Sequence, residues 1–433
     1  MKSILAVLAL AAALAVGVPV HAQPSATEHS GAASSRVAEL ERDLRAILRG
    51  PGMAGATHGV LVVSLDRADT LFSWNADARL TPASNLKLFS TAAALHYLGP
   101  EFRWSTYLLA EGEVRGGVLA GDLVLFGTGD PTLGSRRFPG TARALDALAD
   151  SLRARGVREV SGSIVADGSF FDPRLRGQGW TAEDLVSWFG APVSSLVTTE
   201  NLSGGRPVDE PVRVAGERFR TALARAGIKV RGGVRTVREP GLSRAGFHAR
   251  RQAAGTHVLA TYRSPALRDV VRVTNHISHN LFADEALRTV GRVAGGEGSF
   301  EAGERAVARM LSSADPPRML DGSGLSRLDR VSARTVVTLL AAMARSPEAP
   351  VFRASLPIAG SEAGLRRMYG TAAAGNLRAK TGTLATVSAL SGYVTAADGE
   401  RLAFSIITNG VPRTALAKEA ENRIGVRLAE FRR

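Results

Sequence analysis

The spacing of apolar and polar residues divides the chain into three stretches of different texture. From Ala38 to Leu48 apolar residues recur at Leu40, Leu44, Ile47 and Leu48, one face of a helix, and Gly50-Pro51-Gly52 stops it. The run Gly59–Val63 and the pair Leu71-Phe72, on either side of a turn at Asp66, predict two strands. Thr81-Pro82-Ala83-Ser84 then leads into an Ala/Leu-rich helix over Asn85–Leu98, closed by Gly99-Pro100. Between 101 and 262 short strand-like runs (Asp122–Phe126, Gly162–Ala166) sit among Gly/Asp/Pro turns. Helices are predicted there around Thr141–Arg155 and Glu217–Ala226, the second leading into Ile228-Lys229-Val230. This middle stretch reads as one or two inserted α+β modules. Helical spacing returns over Leu267–Arg288, Phe300–Ser313 and Val331–Arg345. A β-meander follows, Leu377–Thr381, Ser388–Thr395 and Leu402–Thr408 with a hairpin turn at Asp398-Gly399, and an amphipathic helix over Ala415–Phe431 ends the chain.

The N-terminus adds a destination. Lys2 precedes an apolar stretch from Ile4 to Val18, and Val20-His21-Ala22 places small residues where cleavage before Gln23 requires them. Residues 1–22 therefore read as a cleavable secretory signal, since an apolar run of about 15 residues is short for a bilayer span. The chain is expected in the periplasm, with residues 23–35 a small, polar, flexible leader. The absence of cysteine excludes disulfides, cysteine nucleophiles, zinc ribbons and iron–sulfur clusters. The formal charge of +14 raises the question of nucleic acid. Of the 54 basic residues, however, five are lysine and 49 arginine, and they are spread along the chain with no run to track phosphates. No nucleic-acid partner is predicted. The excess charge suits peripheral attachment to anionic wall polymers or a membrane surface.

Candidate chemistry lies in three short motifs: Ser84-Asn85-Leu86-Lys87, Ser278-His279-Asn280 and Lys380-Thr381-Gly382. At the first turn of a helix, i,i+3 spacing puts the Ser84 hydroxyl and the Lys87 amine on one face, and the positive end of the helix dipole favours a developing alkoxide. The scarcity of lysine gives an independent argument. A chain that writes arginine almost everywhere uses lysine in two of these motifs. Arginine keeps its proton, whereas a buried lysine beside another cation can become a neutral base. That favours Lys87 as the activator of Ser84; at Lys380 a compact point charge would suffice. Lys380-Thr381-Gly382 opens the meander, where an extended peptide can pair with an exposed edge and Gly382 leaves room for close approach.

Together the three motifs resemble the S-x-x-K, S-D-N and K-T-G signature of penicillin-binding proteins and class A β-lactamases. The 194 residues separating Ser84 from Ser278 exceed what a compact β-lactamase leaves. Gly127–Pro131, Asp321–Ser326 and Ser355–Gly360 match as well. The chain resembles the D-alanyl-D-alanine carboxypeptidases/endopeptidases of the low-molecular-mass class C penicillin-binding type over nearly all of its length beyond the leader. That resemblance implies a multi-domain α+β architecture. A transpeptidase-like catalytic domain, an antiparallel sheet flanked by helices, would be built from 36–100 and 263–433, with the smaller inserted domain or domains at 101–262. It also implies roles. Ser84 attacks the D-Ala–D-Ala carbonyl, Lys87 takes its proton, Ser278 relays a proton to the leaving amine, and Asn280 orients Lys87 and the substrate amide. Lys380 and Thr381 hold the terminal carboxylate, Gly382 gives access, and the backbone N–H groups of Ser84 and Thr383 form the oxyanion hole. Peptidoglycan stem peptides and β-lactams are the implied ligands, with no cofactor and no metal. Two residues depart from the pattern: His276 stands where the family has Lys, and His279 where it has Asp. The family's G-T-L is here Ala363-Gly364-Leu365.

Three rival readings remain. His276 and His279, three apart on a predicted helix near Asp284 and Glu285, suggest a metal site, though two surface histidines are the commoner case. A non-catalytic penicillin- or peptidoglycan-binding module would use the same fold. A β-lactamase would share the acylation apparatus and differ in rapid deacylation. For Asp321–Ser326, a Gly-rich turn capping the helix near Val331 is as good an account as a direct role.

Overall fold

The structure, a computed structural model, describes residues 26–51, 53, 55–238 and 256–433. The signal read over 1–22 lies outside the described residues. Fourteen strands appear in it: β1 Thr57–Ser64, β2 Thr70–Trp74, β3 Ser105–Arg115, β4 Val118–Gly127, β5 Glu159–Val160, β6 Ile164–Asp167, β7 Leu202–Ser203, β8 Arg206–Pro207, β9 Lys229–Val230, β10 Val234–Val237, β11 Thr256–Arg263, β12 Arg378–Leu384, β13 Val387–Thr395 and β14 Arg401–Asn409.

Five of these form an antiparallel sheet in the order β12-β13-β14-β1-β2, so the last three strands of the chain close against the first two. Period-2 alternation sends the two faces into different cores. Val60, Val62, Leu390, Phe404 and Ile406 pack under Leu40, Leu44, Ile47, Ile424 and Leu428 of the terminal helices. On the opposite face Leu61, Ala389, Ala403 and Ile407 meet Phe89, Leu287, Val336 and Leu340. Burial on both faces explains why these strands read as near-continuous apolar runs.

The second sheet is drawn entirely from 105–263. It runs β10-β6-β4-β3-β11, with β5 and β9 continuing from β4. Its parallel pairs β10–β6 and β6–β4 are joined to antiparallel β4–β3 and β3–β11. Leu108, Leu123 and Leu125 face the helices Ala144–Ala154 and Pro211–Arg225, while Leu109, Val124 and Phe126 face Phe170 and Phe171. The region read as one or two modules thus holds one mixed seven-stranded sheet and the two-stranded β7–β8 sheet.

Three predicted elements differ. The first helix spans Ala26–Leu48, so most of the stretch read as flexible leader is helical; no proline interrupts it after Pro24, and a docked C-terminal half favours propagation back along the chain. The helix read from Glu217 begins at Pro211, where proline at the first helical position needs no donor. The helix read over Leu267–Arg288 is two, Leu267–His276 and Asn280–Gly295, broken at Ser278. Among the described residues no helix is long and apolar enough to cross a membrane.

Candidate active site

Ser84 sits in a single 3-10 turn, Ala83–Leu86, that delivers the chain into the helix Lys87–Leu98. The turn precedes the α-helix proper, which begins at Lys87, two residues after the Asn85 start read from the spacing. Ala83 adopts a left-handed conformation (φ +48°), which costs on the order of 1–3 kcal/mol and persists only where neighbours over-determine it. Those neighbours are identifiable. Thr81 N–H donates to Asn409 Oδ1 (2.8 Å) and Asn409 Nδ2 donates back to Thr81 O (3.0 Å), clamping the approach to the end of β14. Asn85 Nδ2 donates to Lys380 O (3.0 Å), and Leu86 and Phe89 anchor the far side in the core.

Lys87 is completely buried. Its Nζ lies 2.8 Å from Ser84 Oγ, 2.7 Å from Asn280 Oδ1 and 2.6 Å from Ser323 O. Burial pushes its pKa down to about 8, against the opposing pull of Asp284, Asp321 and Asp329. A lysine at that value supplies a neutral amine at a pH where an exposed one would not. The Ser323 carbonyl comes from the Asp321–Ser326 segment, which therefore has a direct part in the site. Asp321 organises that loop by accepting from Ser323 N (3.0 Å), Gly324 N (2.7 Å), Ser326 N (2.7 Å) and Trp180 Nε1 (2.7 Å). Asp284 accepts from Gly322 N (2.7 Å). Burial, then the neighbouring Asp321, push the Asp284 and Asp329 carboxyls well above the ordinary range. Gly324 has φ +78° and carries no Cβ because one would stand 1.9 Å from Ala83 O.

The break at Ser278 (φ +59°) aims two side chains in different directions. Ser278 Oγ accepts from Lys380 Nζ (3.0 Å). Asn280 Oδ1 accepts from Lys87, and its Nδ2 donates to Phe189 O (3.0 Å), which fixes the amide's orientation. The two histidines of this segment go separate ways. His276 Nδ1 meets Ala363 O (3.3 Å), whereas His279 is buried with Nε2 on Glu200 Oε2 (3.0 Å). His279 is therefore no surface residue on a helix, and the pair does not converge on one ligand. Burial lowers the His279 pKa; for Glu200 burial pushes upward, but the His279 and Ser135 hydrogen bonds outweigh it and pull the carboxyl down to about 2.

Lys380, Thr381, Gly382 and Thr383 lie on β12, the edge of the five-stranded sheet. Lys380 is fully buried, donates to Ser278 Oγ and Thr381 O (2.8 Å), and has its pKa held well below the usual lysine value by burial and by Lys87. Ala379 N–H turns outward to Pro357 O (3.0 Å), so strand alternation turns the N–H groups of Thr381 and Thr383 to the same outer side. Gly382 passes directly over the Ser84 turn: a Cβ there would lie 2.6 Å from Pro82 O and 3.1 Å from the backbone nitrogens of Ser84 and Asn85.

The residues singled out from sequence thus meet at one place. Ser84, Lys87 and Asn280 form one hydrogen-bonded chain, Lys380 and Ser278 a second, and β12 runs alongside both. Sequence reasoning missed Asn85, Asn409, Ser323, Asp284, Phe189 and Glu200. Of these, Asn85 stood inside the first motif without a role, Asp284 was noted only beside a metal reading, and Ser323 lay in the Asp321–Ser326 segment already singled out. The others act through backbone atoms or through partners far along the chain, which leave no local pattern.

Comparison with known proteins adds an independent line. The model of the D-Ala-D-Ala carboxypeptidase 3 (S13) family matches residues 40–204 and 199–431. A D-alanyl-D-alanine carboxypeptidase of Actinomadura sp. (strain R39) is 34% identical over 95% of this chain and 87% of its own length. The D-alanyl-D-alanine carboxypeptidase DacB of Haemophilus influenzae is 26% identical over 82% of this chain and 86% of its own. Among solved structures, penicillin-binding protein 4 (dacB) of Haemophilus influenzae superposes with TM-score 0.74 at 24% identity, covering 90% of this chain and 98% of that one. A predatory peptidoglycan endopeptidase of Bdellovibrio bacteriovorus shares the fold at TM-score 0.55 and 18% identity, covering 86% and 92% of the two chains.

Proposed function

The chain belongs to the D-Ala-D-Ala carboxypeptidase 3 (S13) family of serine peptidases, and from that premise we propose that it is an exported enzyme that cleaves the terminal D-Ala–D-Ala bond of peptidoglycan stem peptides through an acyl-enzyme on Ser84. The catalytic unit comprises 36–100 and 263–433, with 101–262 as its insert. The observation that carries the reading is the position of Lys87: buried, 2.8 Å from Ser84 Oγ, and tuned to about 8. The neutral amine takes the Ser84 hydroxyl proton as Oγ attacks the carbonyl carbon. The backbone N–H of Ser84 and the outward N–H of Thr383 stabilise the oxyanion, usually the largest single contribution in sites of this type. Collapse breaks the C–N bond, and Ser278 passes a proton to the departing D-alanine amine. Water then attacks the ester, and the proton path runs in reverse to release Ser84. Lys380 and Thr381 hold the terminal carboxylate, whose charge restores that of the buried Lys380. β-Lactams acylate the same oxygen, and D-Ala cross-links offer the same bond to an endopeptidase. The secretory signal places this chemistry in the periplasm, and the surplus arginine charge favours the anionic wall.

The test is direct. Benzylpenicillin is expected to add one adduct per chain on the peptide containing Ser84, Ser84→Ala to abolish it, and a peptide ending in D-Ala–D-Ala to release D-alanine. Labelling at another serine, or in the Ser84→Ala chain, overturns the nucleophile. Acylation without D-alanine release favours a binding module, and rapid loss of the adduct a β-lactamase.

A further inference from the structure

The middle residue of the second motif is one of the places where this chain departs from the pattern its motifs resemble, and its surroundings suit a histidine. His279 lies between Ser278, which receives Lys380 Nζ, and Asn280, which receives Lys87 Nζ. Its ring is buried, stacked on Phe282 (centroids 4.0 Å apart, 26° between planes) and set edge-on to Trp188 at 5.9 Å. Nε2 donates to Glu200 Oε2 at 3.0 Å. The other Glu200 oxygen accepts Ser135 Oγ–H at 2.6 Å, and Ser135 Oγ accepts Arg137 N–H at 3.1 Å.

Glu200 is itself held by its backbone. Thr199, Glu200 and Asn201 are all left-handed (φ +52°, +58°, +52°), a run that non-glycine residues rarely adopt. It is fastened by Thr199 N–H to Leu133 O (2.8 Å), Asn201 Nδ2 to Pro192 O (2.9 Å), and Arg218 to Thr198 O (2.8 Å). A carboxylate from the segment beside the second sheet is thus presented to the one turn whose two ends hold both catalytic-site lysines. A turn with a left-handed residue at Ser278 needs such an external hold to keep one geometry.

We propose that Glu200 is a positioning residue of the reaction: acting through His279, it holds the Ser278–Asn280 turn in register with Lys87 and Lys380. The proposal rests on the acyl-enzyme reading above for its reporter. Glu200 touches none of the reacting atoms, and its effect falls on kcat and on acylation rate, with KM little changed, because a loosened turn misplaces groups already assembled around the substrate.

The experiment is an exchange of donor and acceptor, read as benzylpenicillin acylation rate and as D-alanine release, with folding checked by circular dichroism. Glu200→Ala removes the acceptor and is expected to slow both reactions by about 10–100-fold. Glu200→Gln keeps an acceptor oxygen and stays within about threefold of the native chain. His279→Glu sets two carboxylates against each other and falls by about 100-fold or more; combining it with Glu200→Gln, so that the amide donates to the new carboxylate, recovers most of that loss. A Glu200→Ala chain that is folded and acylates within threefold of native overturns the proposal. So does a double variant that folds yet is no faster than His279→Glu alone, which also decides the matter should Glu200→Ala fail to fold. Native activity itself tests the acyl-enzyme reading; only the ratio of variant to native, on either reporter, tests the hold on the turn.

Discussion

Gly382→Ala adds one methyl where β12 passes closest to the Ser84 turn. The new Cβ would stand 2.6 Å from Pro82 O and 3.1 Å from the backbone nitrogens of Ser84 and Asn85, whereas ordinary contact begins near 3.4 Å, so strand and turn must part by about 0.8 Å. All three obstructing atoms belong to backbone, and the turn is clamped by Asn409 and Asn85, so no side-chain end can give way instead. The separation moves the Thr383 N–H away from Ser84 and Lys380 away from Ser278. A displacement approaching 1 Å costs about 10²-fold when it misplaces reacting groups, so acylation is expected to slow by about 30–100-fold. Overpacking adds about 1–3 kcal/mol of instability. The seven-residue ladder between β12 and β13 is untouched, so the protein remains folded. Intact mass against time with benzylpenicillin gives the rate, and thermal melting gives the stability. The Lys87 contacts are not displaced, so the pH dependence should keep its shape while the amplitude falls. A folded variant acylating within threefold of native would refute the reasoning, since the spacing of strand and turn would then not govern the reaction.

Other predictions follow from the same geometry. Burial lowers Lys87 to about 8, so if its neutral amine is the working form, acylation should rise with pH up to about 8 and level off above it. Lys87→Arg, charged at every pH, should lose more than ~10²–10⁴-fold; a profile flat from pH 6 to 9, or an active arginine variant, would reduce Lys87 to an electrostatic partner. If Lys380 holds the terminal carboxylate, a D-Ala–D-Ala peptide acid should outpace its C-terminal amide by roughly 10–150-fold, and Lys380→Ala should collapse that ratio; equal rates for native enzyme would sink the clamp. Asp321→Asn turns an NH₂ toward two of the four donors that the carboxylate accepts. It should cost about 1–3 kcal/mol, seen as a lower melting temperature, and slow acylation by loosening the Ser323 carbonyl; an unchanged melt would show that the loop holds itself.

Much of the site was legible because its local rules are strong. Two of the five lysines, in a chain with 49 arginines, fall in these motifs, and the structure buries both of them. Ser84 and Lys87, three residues apart, stay together whether the turn is 3-10 or α. Short runs bounded by turn residues predicted β1, β2 and β12–β14. Less legible were the boundaries at Pro211 and Ala26, where propensity was diluted by polar residues and the decisive contribution came from docking.

The sequence by itself thus determined that Ser84 and Lys87 lie side by side, the edge strand that runs beside them, and the strands of the five-stranded sheet, because each follows from spacing over a few residues. Tertiary structure alone decided what surrounds them. Lys87 meets a carbonyl 236 residues away, Asn85 meets Lys380 across 295, and His279 meets Glu200 across 79. The break at Ser278 carries no glycine or proline to announce it; a strained φ there is held by hydrogen bonds that exist only once the chain is folded. The burial that moves Lys87 to about 8 belongs to the same class, since desolvation is a property of everything packed around a side chain and of nothing in its own stretch of sequence.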